Sequence, residues 1–246
     1  NKAKSFYKLN EFENSKNCLL EVIRNFKLDT KVKSNIFLLL ADLLSKLNSF
    51  KDVEKYLLKY LEIHPNNSAA LNLVAKNFSR LNKFHESEEY YMKAISNNEN
   101  DEVAIINLAV LLENLGRVSD ASNLYKKALF INPKNFGALY NMSKLNKKNL
   151  EKKDIDLIKK SIESNNNEYF NIAAGYFLLA NEEKNKNNFL KESSFLEKAN
   201  DFSFKSKEKI NEQALTYWLN LLPKKIEKLN YLTNSNNQKE NKNINP

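Results

Sequence analysis

One spacing constrains this chain above all others: apolar and small residues return every 34 positions. Phe37, Leu71, Ile105 and Leu139 follow that step, and so do Leu40, Val74, Leu108 and Met142. Ala41, Ala75, Ala109 and Ser143 form a column of small residues. Further columns are Leu47, Leu81 and Leu115; Phe50, Phe84 and Val118; Leu57, Tyr91 and Tyr125; Ala94 and Ala128; Pro65 and Pro133. A fixed period of this length means stacked supersecondary units, each unable to bury its apolar face alone.

Within a unit the residue order predicts two helices and a tight turn. Leu40 with Leu44, and Leu108 with Leu112, lie one helical turn apart and form an apolar stripe. The alanine column lets a second helix approach closely. Asn48, Asn82 and Gly116 fall where the chain must reverse, and these residue types tolerate a left-handed backbone. Phe50, Phe84 and Val118 are expected to plug the junction between the two helices. Pro65 and Pro133 stop the second helix, because proline removes a helical N–H and clashes with the preceding turn. Composition agrees: 3 Gly and 4 Pro are too few for the many turns of a sandwich or barrel.

The pattern Leu40-Ala41, Leu44, Phe50, Val53, Leu57 and Pro65 resembles the tetratricopeptide repeat family. So does Leu108-Ala109, Leu112, Gly116, Ala121, Tyr125, Ala128 and Pro133. The resemblance implies an all-α, right-handed solenoid of helical hairpins. The expected organisation is a repeat region 1–145, with a partial unit 1–33 and full units 34–67, 68–101 and 102–135. In the partial unit Asn10 and Phe12 supply the turn. Residues 146–232 then form altered hairpins and C-terminal helices. Ile155, Ile158 and Ile162 mark a short helix closed by Asn165-Asn166-Asn167. A hairpin runs from Tyr169 to about Lys186 and from Phe189 to Asn200. A longer helix follows from about Lys207 to Leu222, carrying Trp218 and Leu221, and a second one after Pro223. Residues 233–246 read as a polar linker.

The chemistry of catalysis finds few carriers here. His64 and His85 are the two histidines; the first sits at a helix end and the second on an exposed face. Zinc needs three or four converging ligands, which two histidines in this repeat do not supply, so no metal is expected. No glycine-rich phosphate loop or Gly-x-Ser-x-Gly elbow occurs, so neither a cofactor nor enzymatic activity is expected. Cys18, the one cysteine, lies in an apolar stretch and is expected in the core. The most apolar run, Val103 to Leu112, is about half the length of a membrane span. These features suit a cytoplasmic setting. The charge of +9, from 39 basic and 30 acidic residues, is spread along the chain, so nucleic-acid binding is not expected.

What remains is the inner face of the array, which the first helix of each unit should line. By register it carries Asp42, Asn72, Lys76, Arg80, Asn107, Glu113, Asn114, Tyr140, Asn141 and Lys144. The expected partner is a protein or peptide in that groove, with asparagine side chains pairing an extended backbone. A lysine–asparagine clamp for a terminal carboxylate does not match, because Leu38, Asp42 and Leu73 hold its places. An asparagine ladder matches at Asn107 and Asn141 but not at Leu39 and Leu73.

A second resemblance covers residues 140–246. The run Lys153-Asp154-Ile155-Asp156-Leu157-Ile158, the hairpin around Ala173 to Ala180, and Phe189 through Lys198-Ala199-Asn200 carry it. Together they are similar to the helical region before the catalytic domain of bacterial tetratricopeptide-repeat sulfotransferases. That likeness implies a docking arm or homodimerisation arm, with Asn243-Ile244-Asn245-Pro246 leading toward an enzyme.

Overall fold

The computed structural model describes residues 2–146, 149–164 and 168–207. Among these there are α-helices and no strands. The described helices fall into two compact units, divided between Lys148 and Asn149. The first unit holds α1 (Lys2–Lys8), α2 (Phe12–Asn25), α3 (Thr30–Lys46), α4 (Phe50–Ile63), α5 (Ser68–Arg80), α6 (Phe84–Asn97), α7 (Glu102–Asn114), α8 (Val118–Ile131) and α9 (Phe136–Asn146). The second holds α10 (Lys152–Glu163), α11 (Tyr169–Asn185) and α12 (Phe189–Lys205).

In the first unit the helices pair as α1/α2, α3/α4, α5/α6 and α7/α8, and each hairpin packs on the next through the second helix of one and the first helix of the other. The repeat columns are what they bury. Leu40, Ala75, Ile105, Ala109, Tyr125 and Ala128 are fully enclosed, and Leu57, Val74 and Tyr91 nearly so. The step from Phe12 to Phe50 is longer than 34 because α3, at 17 residues, exceeds the 13-residue α5 and α7 by about one turn.

The turns inside the hairpins share one geometry. Asn10, Asn48, Asn82 and Asn187 have φ of 57° to 59°, and Gly116 has φ of 77°. In each case the next N–H reaches back five residues to a carbonyl, as in Ser49 N to Leu44 O, Lys83 N to Phe78 O and Arg117 N to Leu112 O, all at 2.9 Å. These are Schellman caps, which satisfy carbonyls that a helix end would leave without donors. The opposite ends are capped at the 34-residue step: the side chains of Asn67, Asp101 and Asn135 accept from the N–H groups of Ala70, Ala104 and Ala138. Part of the high asparagine content is therefore structural, at turns and caps.

A second recurring link lies between successive hairpins of the first unit. Lys83 reaches Glu54 at 3.0 Å, and Arg117 reaches Glu88 at 2.8 Å, each pair 29 residues apart. Both sets of partners are shifted by one repeat. They tie the start of one second helix to the preceding second helix.

Three expectations need correction. Phe84 and Val118 are not plugs: they are 38% and 44% exposed. They stand at the first position of their helices, where the chain swings outward. The buried position lies three residues on, at Val53, Ser87 and Ala121. Ser87 fits there because its hydroxyl donates to the Ala75 carbonyl at 2.8 Å, as Ser15 does to Ala3 at 2.9 Å. Cys18 is half-buried rather than core. The hairpin in the second unit closes later than expected, with α12 continuing to Lys205. The helices expected beyond Lys207, with Trp218, Leu221 and Pro223, the tail 233–246 and the stop at Asn165–Asn167 lie outside the described residues.

Two substitutions test this account. Leu40→Ala should cost about 2–5 kcal/mol in denaturant unfolding, because it empties a fully enclosed site between two units. Asn82→Val should cost about 1–2 kcal/mol while Asn82→Gly costs little, since a β-branched residue is strained at the left-handed turn.

Candidate functional site

The faces of α3, α5, α7 and α9 that do not pack on the second helices carry the residues singled out by register. Where α3 meets α5 they surround a depression of about 330 Å³. Its α3 side is Leu38, Ala41, Asp42 and Ser45, its floor Val53 and Leu57 from α4, and its α5 side Leu73, Lys76, Asn77 and Arg80. Apolar atoms form the floor and walls; the charged groups stand at the rim.

First helices of successive units are tied across this face by side chains 35 residues apart. The Tyr7 hydroxyl donates to Asp42 Oδ2 at 2.6 Å. Arg80 Nη1 donates to Ser45 Oγ at 2.8 Å, and Asn107 Nδ2 donates to Asn72 Oδ1 at 3.0 Å. The offset of one beyond the repeat reflects the skew between neighbouring first helices. It has a chemical consequence: several candidates are already engaged. Asn72 is buried against Asn107, so its carboxamide serves the stack. Glu113 accepts from the Tyr125 hydroxyl at 2.8 Å, and Asn141 bonds to the same hydroxyl. Lys144 Nζ lies 5.6 Å from the Tyr140 ring centre. Asn114 is exposed at the end of α7.

The cations of α5 differ. Lys76 and Arg80 are exposed, and among the described residues neither has a carboxylate within ion-pair distance. Arg80 also lies over the Phe50 ring at 5.1 Å, which fixes its guanidinium at the rim. Below them Asn77 is buried; its Nδ2 donates to the Phe50 carbonyl at 2.9 Å, and its Oδ1 has no donor among the described residues.

Five residues were missed in the sequence. Leu39 and Leu73, at the same place in consecutive units, are 50% and 45% exposed, and Val110 further along is also exposed. By sequence Leu39 and Leu73 are only mismatches, both to an asparagine ladder and Leu73 also to a carboxylate clamp. An apolar residue at a repeat position that packing does not cover was the available signal. Tyr7 and Ser45 carried no signal, since only the packed array brings them to Asp42 and Arg80. Of the histidines, His85 is exposed and lies 3.3 Å from Glu89, while His64 packs on Tyr60 with ring centres 4.7 Å apart. Among the described residues no group of three or more histidine, cysteine or acidic side chains is placed to hold a metal, and no helix is long and apolar enough to cross a membrane.

With this geometry in view, the comparisons with known proteins fall into place. Residues 68–101 and 104–135 match the tetratricopeptide repeat family model. Two crystal structures of MamA resemble the chain: one with a TM-score of 0.51 at 12% identity, covering 85% of this chain and 98% of that one. The other has a TM-score of 0.50 at 13% identity, covering 85% and 91%. The first tetratricopeptide domain of Spaghetti (RPAP3), solved with the HSP90 peptide SRMEEVD, gives 0.45 at 20% identity over 49% of this chain and 94% of that one. No curated protein matches the sequence. The fold is that of an all-α tetratricopeptide array.

Tyrosine ionisation reports on this face. The bond to Asp42, aided by partial burial, pushes Tyr7 from 10.0 up to about 12. Burial pushes Tyr91 up to about 12 against the pull of Arg80, and burial with the Glu113 bond pushes Tyr125 up as well. Folding therefore favours the neutral phenols. The stability they contribute is intact below pH 10, the unfolded value, and is lost as pH rises through about 12. Absorbance titration near 295 nm should show late-ionising tyrosines, one fewer in Tyr7→Phe, with unfolding setting in as the last of them ionise.

Proposed function

We propose that this chain is a non-catalytic scaffold whose first-helix face takes a segment of another protein. The observation that carries it is the depression between α3 and α5, where aliphatic side chains meet two cations that have no carboxylate partner among the described residues. Leu39, Leu73 and Val110 are further exposed apolar residues on the first helices α3, α5 and α7. Such a surface suits a peptide that lays one apolar side down and keeps polar groups at the rim. The helices that hold it are fixed by packing, so little ordering cost falls on the scaffold when a ligand binds.

The experiment is a selection from a random 12-residue peptide library against the full chain, followed by binding to Leu73→Glu. Leu73 is half exposed, so the helix tolerates the change, while a carboxylate enters the wall of the depression. Affinity should drop about tenfold or more with the circular dichroism spectrum unchanged, a loss of the size expected for a central contact. Failure to enrich any peptide, or equal binding by the variant, would remove this face as the binding site.

The likeness of residues 140–246 to the region before a sulfotransferase domain favours a second reading, in which the array docks substrate or dimerises for an attached enzyme. Reading the gene beyond Pro246 separates the two. A strand followed by a phosphate-binding loop supports that reading, and an immediate stop codon eliminates it.

A further inference from the structure

We infer that the depression between α3 and α5 selects an acidic segment: a peptide that places a leucine-like side chain against Leu38 and Leu73 and an aspartate or glutamate at Lys76 and Arg80. This rests on the peptide-binding reading above and adds the chemistry of the ligand. Three observations converge on it.

The first is charge. Lys76 and Arg80 stand four residues apart on α5, so both project from one face of the helix to the same rim. Neither has a carboxylate partner among the described residues, unlike Lys83 and Arg117, which the array pairs with Glu54 and Glu88. Second, the one acid lining the depression, Asp42, is already bound by the Tyr7 hydroxyl. That bond disperses part of its charge and leaves the positive groups in excess. The cation next along α3, Lys46, is held over the rings of Tyr7 and Phe12 at 5.6 Å each. Third, Arg80 is oriented before any ligand arrives, by the Ser45 hydroxyl and the Phe50 ring. A guanidinium held this way keeps donors in a fixed plane, the arrangement that recognises a carboxylate.

Nucleic acid would also be drawn to lysine and arginine, but the site favours peptide. Its floor and walls are aliphatic, with no aromatic face on which a base could stack, and only two cations are grouped there.

The test uses defined fluorescein-labelled 12-residue probes and the full chain. Each probe has two leucines four residues apart in a Gly-Ser background and one variable position, filled by Glu, Gln or Lys and moved along the sequence. Fluorescence polarisation is read at 50 and 300 mM NaCl, with oligo-uridine as a competitor. At one or two positions the Glu probe should bind about fivefold tighter than its Gln twin, the Lys probe weaker than both, and the gap should narrow at high salt. Lys76→Gln should abolish the Glu preference while leaving binding of the Gln probe and helicity unchanged. Arg80→Lys should keep part of it, because charge remains but the fork is lost.

Equal binding of Glu and Gln probes would overturn the acidic preference and leave the peptide reading standing. Failure of every probe to bind would overturn this inference; only if the random library also yields nothing does the peptide reading fall with it. Displacement of the probes by oligo-uridine at lower concentration than by unlabelled Glu probe would reassign the cations to nucleic acid.

Discussion

Everything in the first unit depends on one constraint: a helical hairpin of this sequence cannot cover its own apolar face. Leu40, Val74, Ile105 and Tyr125 are removed from water only because the neighbouring hairpin lies on them. Burial of each large side chain is worth about 2–3 kcal/mol, and the enclosed tyrosine adds a hydroxyl that must find a partner. Tyr125 finds it in Glu113, twelve residues earlier on the paired helix. Stability and the functional face are therefore made together. The packing that hides the columns also presents the remaining sides of α3, α5 and α7 in a fixed register.

That register explains why polar residues on the first helices divide into two groups. Some serve the stack: Asn72 with Asn107, and Glu113 with Tyr125 and Asn141. Others have no carboxylate partner among the described residues, chiefly Lys76 and Arg80, the latter also held by Ser45. The division follows from position. A short amide on the flank between two first helices meets its neighbour across the skew of the packing. A long cation reaches past the contact into open space. Exposed apolar residues belong to the same logic: Leu39 and Leu73 sit where no described helix covers them.

Hairpin geometry was legible in the sequence because it is local. Asn48, Asn82 and Gly116 fall at the turns and adopt the left-handed backbone expected from their residue types. Pro65 and Pro133 follow the helix ends at Ile63 and Ile131. The plug residues were misread because large apolar character alone does not say which side of a helix start a side chain takes. Phe84 turns toward solvent, and the small Ser87 takes the enclosed place instead. Several asparagines hold turns and caps.

From its own order the sequence determined the repeat period, the helix pair in each unit, the turn and cap residues, and the columns that go inside. These are set by propensity, periodicity and steric rules acting over a few residues. Only the tertiary structure decided which groove residues remain available to a ligand. It brought Tyr7 to Asp42 and Ser45 to Arg80, freed Lys76, and enclosed Asn77 beneath an apolar pocket. Partners 35 residues apart meet through the skew of one packed helix on the next, and that angle is a property of the assembled stack.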